Sequence, residues 1–156
     1  MLMIKLLSLF ILVVVLLTAC SDPNGPSYYP FGLVWETDGN SASVTSAEIV
    51  DIFEAADGQC YAAQSDQRLL LVHCDLKLSL GWQIRKDTYV SKTGKRYALR
   101  WIVVQDNAQG NQEYILLFVL DTEDCADGNV ESLELELEIE SADGSARRTQ
   151  SFVLRN

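Results

Sequence analysis

Leu133-Glu134-Leu135-Glu136-Leu137-Glu138-Ile139-Glu140 is the stretch that decides the fold. Every odd position is apolar and every even one acidic, a period of two that suits a strand with one buried and one wet face. The four glutamates are expected to face water, because like charges this close cannot be buried together. Ser141-Ala142-Asp143-Gly144-Ser145 follows with turn chemistry, and Arg147 to Arg155 returns as the partner strand, with Arg147 and Arg148 across from the acidic row.

The same period recurs upstream. From Leu70 to Ile84 the even positions are Leu70, Val72, Cys74, Leu76, Leu78, Leu80, Trp82 and Ile84, which predicts a long half-buried strand bent at Gly81. Tyr97 to Gln105 and Glu113 to Leu120 form a second expected hairpin, turning through Asp106 to Asn111. Its unbroken apolar run Tyr114 to Leu120 reads as a central strand covered on both faces. A shorter pair, Cys60 to Gln64 and Arg68 onward, turns through Ser65-Asp66-Gln67, and Phe31 to Glu36 is an opening strand. Over 45–58 a helix is favoured over a strand from Ala47 to Glu54. Thr45 and Glu48 fit a capping box, Ile49, Ile52, Phe53 and Ala56 share a helical face, and Gly58 suits the C-terminal cap. The fold class is mainly β: an antiparallel β-sandwich or small barrel, an immunoglobulin-like arrangement among the options, with at most one short helix.

The chain has 156 residues, enough for one sizeable core, and 12 Lys+Arg against 22 Asp+Glu give a formal charge of −10. That balance disfavours nucleic acid as a partner, since a polyanion binder sets Lys and Arg against phosphates. Hydropathy concentrates at the start: Met1 to Lys5 carry one positive charge, and Leu6 to Leu17 are apolar except for Ser8. So short a run ending in small residues has the form of a cleaved secretory signal. It ends Leu17-Thr18-Ala19-Cys20, which resembles the lipobox of bacterial lipoproteins. The resemblance implies a signal peptide over 1–19, removed so that Cys20 becomes the lipidated N-terminus and the acyl chains supply the membrane attachment. Ser21 rather than Asp follows the cysteine, which by the sorting rule of that class implies the outer membrane, facing the periplasm. Residues 20–30 carry all three prolines and read as a tether, and 31–156 as a single β domain.

Cys60, Cys74 and Cys125 remain, an odd number for an oxidising compartment. All three are disulfide candidates, with Cys60 and Cys74 favoured because they flank the Ser65-to-Arg68 turn; sequence alone does not fix the pairing. The single histidine, His73, lies on the odd face with Asp75 and Lys77, and reads as a solvated strand position. No nucleophile elbow, phosphate loop or zinc-binding helix motif accompanies it, so the chain is expected to be a non-enzyme without a cofactor. Asp121 to Asn129 gathers four carboxylates. Oxygen ligands at that density can hold calcium, but the spacing is not that of an EF-hand and no metal site is assigned.

Charge is strongly segregated. Arg85 to Arg100 holds six basic residues against Asp87 alone, whereas Asp121 to Asp143 holds ten acids and no base. A basic loop of Lys92, Thr93, Lys95, Arg96 and Tyr97 is therefore the candidate interaction site, while neutralisation of the acidic segment of the same domain is the competing role. Lys92-Thr93-Gly94-Lys95-Arg96-Tyr97 is similar to the Ser-Gly-x-x-Tyr loop of membrane-bound lysozyme inhibitors, with Thr93 in place of Ser and without that family's later Trp-x-Lys-Gly. The leading expectation is an outer-membrane-anchored periplasmic lipoprotein that binds an envelope protein or component. The alternative is a periplasmic inhibitor acting through a 91–97 loop that projects clear of the barrel.

Overall fold

The computed structural model describes residues 28–156. The expected signal peptide, Cys20 and the tether as far as Ser27 lie outside these described residues. The chain is mainly β. Its strands are β1 (Tyr28–Tyr29), β2 (Trp35–Thr37), β3 (Asn40–Val50), β4 (Ile52–Glu54), β5 (Cys60–Ala62), β6 (Gln67–Lys77), β7 (Trp82–Ile84), β8 (Tyr89–Lys92), β9 (Lys95–Asp106), β10 (Gln112–Asp121), β11 (Glu134–Ser141) and β12 (Arg147–Val153).

Ten of them make one sheet in the order β1-β12-β11-β8-β9-β10-β6-β3-β2, with β7 also on β11. All neighbours are antiparallel except the parallel pair β1 and β12. The two ends of this order meet, so the sheet curls into a nearly closed barrel. Trp35 of β2 meets Phe152 of β12 edge-on at 6.4 Å, the Ala47 N–H donates to the Arg155 carbonyl at 2.9 Å, and Arg148 pairs with Asp38 at 2.6 Å. Closure removes most of the open strand edges that would otherwise invite aggregation.

The alternation of β11 works as its pattern predicts: Leu135, Leu137 and Ile139 point inward and are fully buried. They meet Val72 and Leu70 of β6, Leu116 and Phe118 of β10, and Phe152 of β12 in the barrel interior. Burying a side chain of this size contributes roughly 1.5–3 kcal/mol each relative to exposure. β6 and β10 are buried on both faces. Their second face, Leu69, Leu71, Ile115 and Leu117, forms a smaller outer core with Val103, Ala55 and Tyr61. The two-stranded ribbon of β4 and β5 covers it, with Phe53 stacked on Tyr61 at 6.0 Å. This explains the continuous apolar run in β10 and corrects the half-buried reading of β6, whose odd positions Leu69 and Leu71 are also core.

Three further expectations change. The favoured helix over 45–58 is strand: β3 pairs with β6 along its length and its backbone groups are met there. The expected helical face is divided by the fold: Ile49 of β3 packs against the barrel interior, Phe53 of β4 packs against the outer core, and Ile52 is exposed. Upstream, a register shift between Val44 and Ser46 inserts one extra residue in β3, so Val44 and Ala47, three apart, both point into the barrel. The only helical element among the described residues is a 3₁₀ turn, Thr122–Asp124. The strand predicted over 70–84 is two: β6 ends at Lys77, and β7 crosses to pair with β11 after Gly81, whose φ of +83° only glycine adopts freely. Finally, the Cys60-to-Gln64 segment does not form a hairpin with β6, because β5 pairs with β4.

Candidate functional site

The sequence-predicted basic loop and the acidic loop come together. β8 and β9 are joined by the two-residue turn Thr93-Gly94, both with positive φ (+47° and +82°), the left-handed pair that a tight hairpin requires. So short a turn does not project; it lays Lys95 against the 3₁₀ turn. The Lys95 ammonium lies 2.5 Å from Asp121 Oδ2, 2.8 Å from Asp124 Oδ2 and 3.5 Å from Glu123 Oε1. The Tyr97 hydroxyl donates to Asp124, and Lys92 Nζ donates to the Asp124 carbonyl. Hydrogen bonds from Lys95 and Tyr97 hold the Asp124 carboxyl below its ordinary range, and those from Lys95 to Asp121 and Asp124 push the ammonium higher. Burial, with the hydrogen bond to Asp124, raises the Tyr97 hydroxyl. The three carboxylates sit close enough together to share one cation. Lys95 is such a cation supplied by the chain itself, which any metal ion would have to displace. Arg96 lies over the Tyr89 ring at 4.3 Å, while the Tyr89 hydroxyl donates to Glu136 at 2.7 Å.

His73 occupies a more enclosed place than a solvated strand face. Its side chain is 15% exposed, with Nδ1 3.0 Å from Glu113 of β10 and Nε2 3.4 Å from Glu48 of β3. Both ring nitrogens are thus taken by carboxylates on the flanking strands, and the Thr45 hydroxyl donates to the His73 carbonyl rather than facing the ring. Sequence reasoning paired His73 with Asp75 and Lys77 on its own strand; the partners are cross-strand and visible only once the register is known.

The glutamate row of β11 is not simply wet. Arg85, after β7, reaches Glu138 Oε1 at 3.0 Å and also binds Glu140 and Asp87, and Arg147 comes within 3.7 Å of Glu140. Glu138 and Glu140 are only 17% and 16% exposed. Arg85 belonged to the segregated basic segment in the sequence, and it too is used within the domain.

Cys60, Cys74 and Cys125 are free thiols, Cys60 exposed and the other two buried. The favoured Cys60–Cys74 bridge is absent because the two lie on different elements, Cys74 turning into the barrel interior and Cys60 starting the outer ribbon. Burial pushes both the Cys74 and Cys125 thiols above the ordinary value, so neither is an activated nucleophile.

What remains open is the outer half of β9, which sequence reasoning took as an ordinary hairpin strand. β8 covers only Lys95 to Ala98. Beyond a bulge at Arg100, Trp101 to Asp106 pair with β10 on one side and with no strand on the other among the described residues. Trp101, Ile102 and Val104 are 40%, 41% and 47% exposed. Trp101 leans on Tyr61 at 5.3 Å, and the Ala56 N–H donates to Gln105 Oε1. Between the Ala55–Gln59 loop and this strand lies a cleft of about 440 Å³. No family model, curated protein or solved structure matches the chain.

Proposed function

We propose that the chain is a lipid-anchored, non-catalytic protein-binding module of the bacterial envelope, held at the outer membrane through Cys20 and facing the periplasm. It engages its partner along the outer half of β9. One observation carries the reading: in a nearly closed barrel that ties Lys92, Lys95, Arg96, His73 and the 121–124 turn into contacts of the chain itself, the apolar edge of β9 from Trp101 to Val104 pairs with no strand on its outer side among the described residues. Exposed strand edges bind extended segments through main-chain hydrogen bonds, with alternate side chains supplying selectivity. That Lys92, Lys95 and Tyr97 are tied to the 121–124 turn favours this strand over the 91–97 loop as the binding surface.

Two measurements test the reading. Radiolabelled palmitate should enter the wild-type chain and not the Cys20→Ser variant, which should also leave the membrane fraction. From detergent-solubilised envelopes, wild type should retain a protein that Ile102→Glu with Val104→Glu loses, whereas Lys92, Lys95 and Arg96 changed together to Glu should keep it. The opposite pattern returns the binding surface to the basic loop.

A further inference from the structure

Resting on the reading of β9 as the binding edge, we infer that its partner is a second copy of this chain, paired antiparallel with it about a two-fold axis at Val103. The segment Arg100-Trp101-Ile102-Val103-Val104-Gln105-Asp106 is complementary to itself when reversed. Centred on Val103, Arg100 of one copy faces Asp106 of the other, Ile102 faces Val104, and Trp101 faces Gln105. Each opposition occurs twice, as a closed two-fold interface demands. Arg100, Ile102, Val104 and Asp106 are all exposed in the single chain, so none has to be withdrawn from an internal contact to take part.

Charge selects this occupant. The chain carries a formal charge of −10, and two copies repel unless opposite charges meet where they touch. The edge offers one base and one acid, placed so that each meets its opposite, and the aliphatic pair between them loses its exposed surface. Cross-strand pairs of opposite charge and of β-branched residues are the combinations that stabilise antiparallel neighbours. Two of the usual protections against pairing are missing from the edge, since the prolines of the chain all lie within residues 21–30 and no lysine stands between Arg100 and Asp106; the bulge sits at its end, at Arg100. A single strand of seven residues is a small contact beside the roughly 20–30 residues a side of a standard interface, so the pairing is a weak and reversible one.

The test is analytical ultracentrifugation of the full chain in detergent micelles across micromolar concentrations. Wild type should sediment as a reversible dimer. Arg100→Asp and Asp106→Arg should each weaken it by about tenfold, and the double variant, which restores the opposition in reverse, should recover to within about threefold of wild type. In a Cys60→Ser background, Ile102→Cys and Val104→Cys chains mixed together should form a disulfide dimer, and neither should do so alone. Circular dichroism of each variant should match wild type, as exposed residues are changed. A wild-type chain that stays monomeric overturns the inference, and so does a dimer whose charge reversals do not rescue each other. If the chain is monomeric yet Ile102→Glu with Val104→Glu still abolishes capture of an envelope protein, the module reading stands and the second copy is excluded.

Discussion

Lys95 shows how much one side chain can decide: a single ammonium holds three carboxylates in one turn. In Lys95→Met the Asp124 carboxyl should climb toward the ordinary value near 3.9, read by NMR titration. Asp143 offers the clearest acid marker. Hydrogen bonds from the Ser141 hydroxyl, with the N–H and hydroxyl of Ser145, pull its carboxyl down to about 2. A carboxyl held lower in the fold than in the open chain adds stability above roughly pH 4, and that contribution is lost as pH falls through 2. Asp143→Asn should therefore flatten the stability profile between those limits, measured by urea unfolding at stepped pH. Thiol labelling separates the cysteines: Cys60 should react at once in the native chain, and Cys74 only on unfolding. At this scale the sequence identified the charged residues but not their partners. His73 meets Glu48 and Glu113, residues 25 and 40 positions away, and no spacing rule reaches that far without the strand register.

Elements were legible wherever one pattern ruled their full length. β11 and β12, and the hairpin of β9 and β10, were read directly, because strict alternation or a continuous apolar run admits one solution. The segment 45–58 was misread because Ile49, Ile52 and Phe53 fall at helical spacing only by straddling the break at Asp51, where β3 ends and β4 begins. The Thr93-Gly94 turn carries a testable strain: a β-branched residue at φ +47° is disfavoured where Asn is tolerated. Thr93→Asn should stabilise the chain by about 0.5–1 kcal/mol in chemical denaturation. Phe118, fully buried in β10, is the opposite case, and Phe118→Ala should cost about 3–5 kcal/mol.

The whole molecule is a barrel with an outer roof, and its stability should be graded accordingly. In native-state hydrogen exchange, amides of Ile115 to Phe118, buried on both sides, should be the slowest, and those of the β4 and β5 ribbon among the fastest. Fold class was legible because alternation and apolar runs report burial directly. The open edge was not, since Ile102, Val103 and Val104 read the same whether a neighbouring strand covers them or not. The bulge at Arg100 has one more consequence. Leu99 packs against the barrel interior and Val103 against the outer core, and with Arg100 removed every following side chain would keep its face. The barrel therefore does not count Arg100: a chain one amino acid shorter could trace the same sheet with β9 straightened.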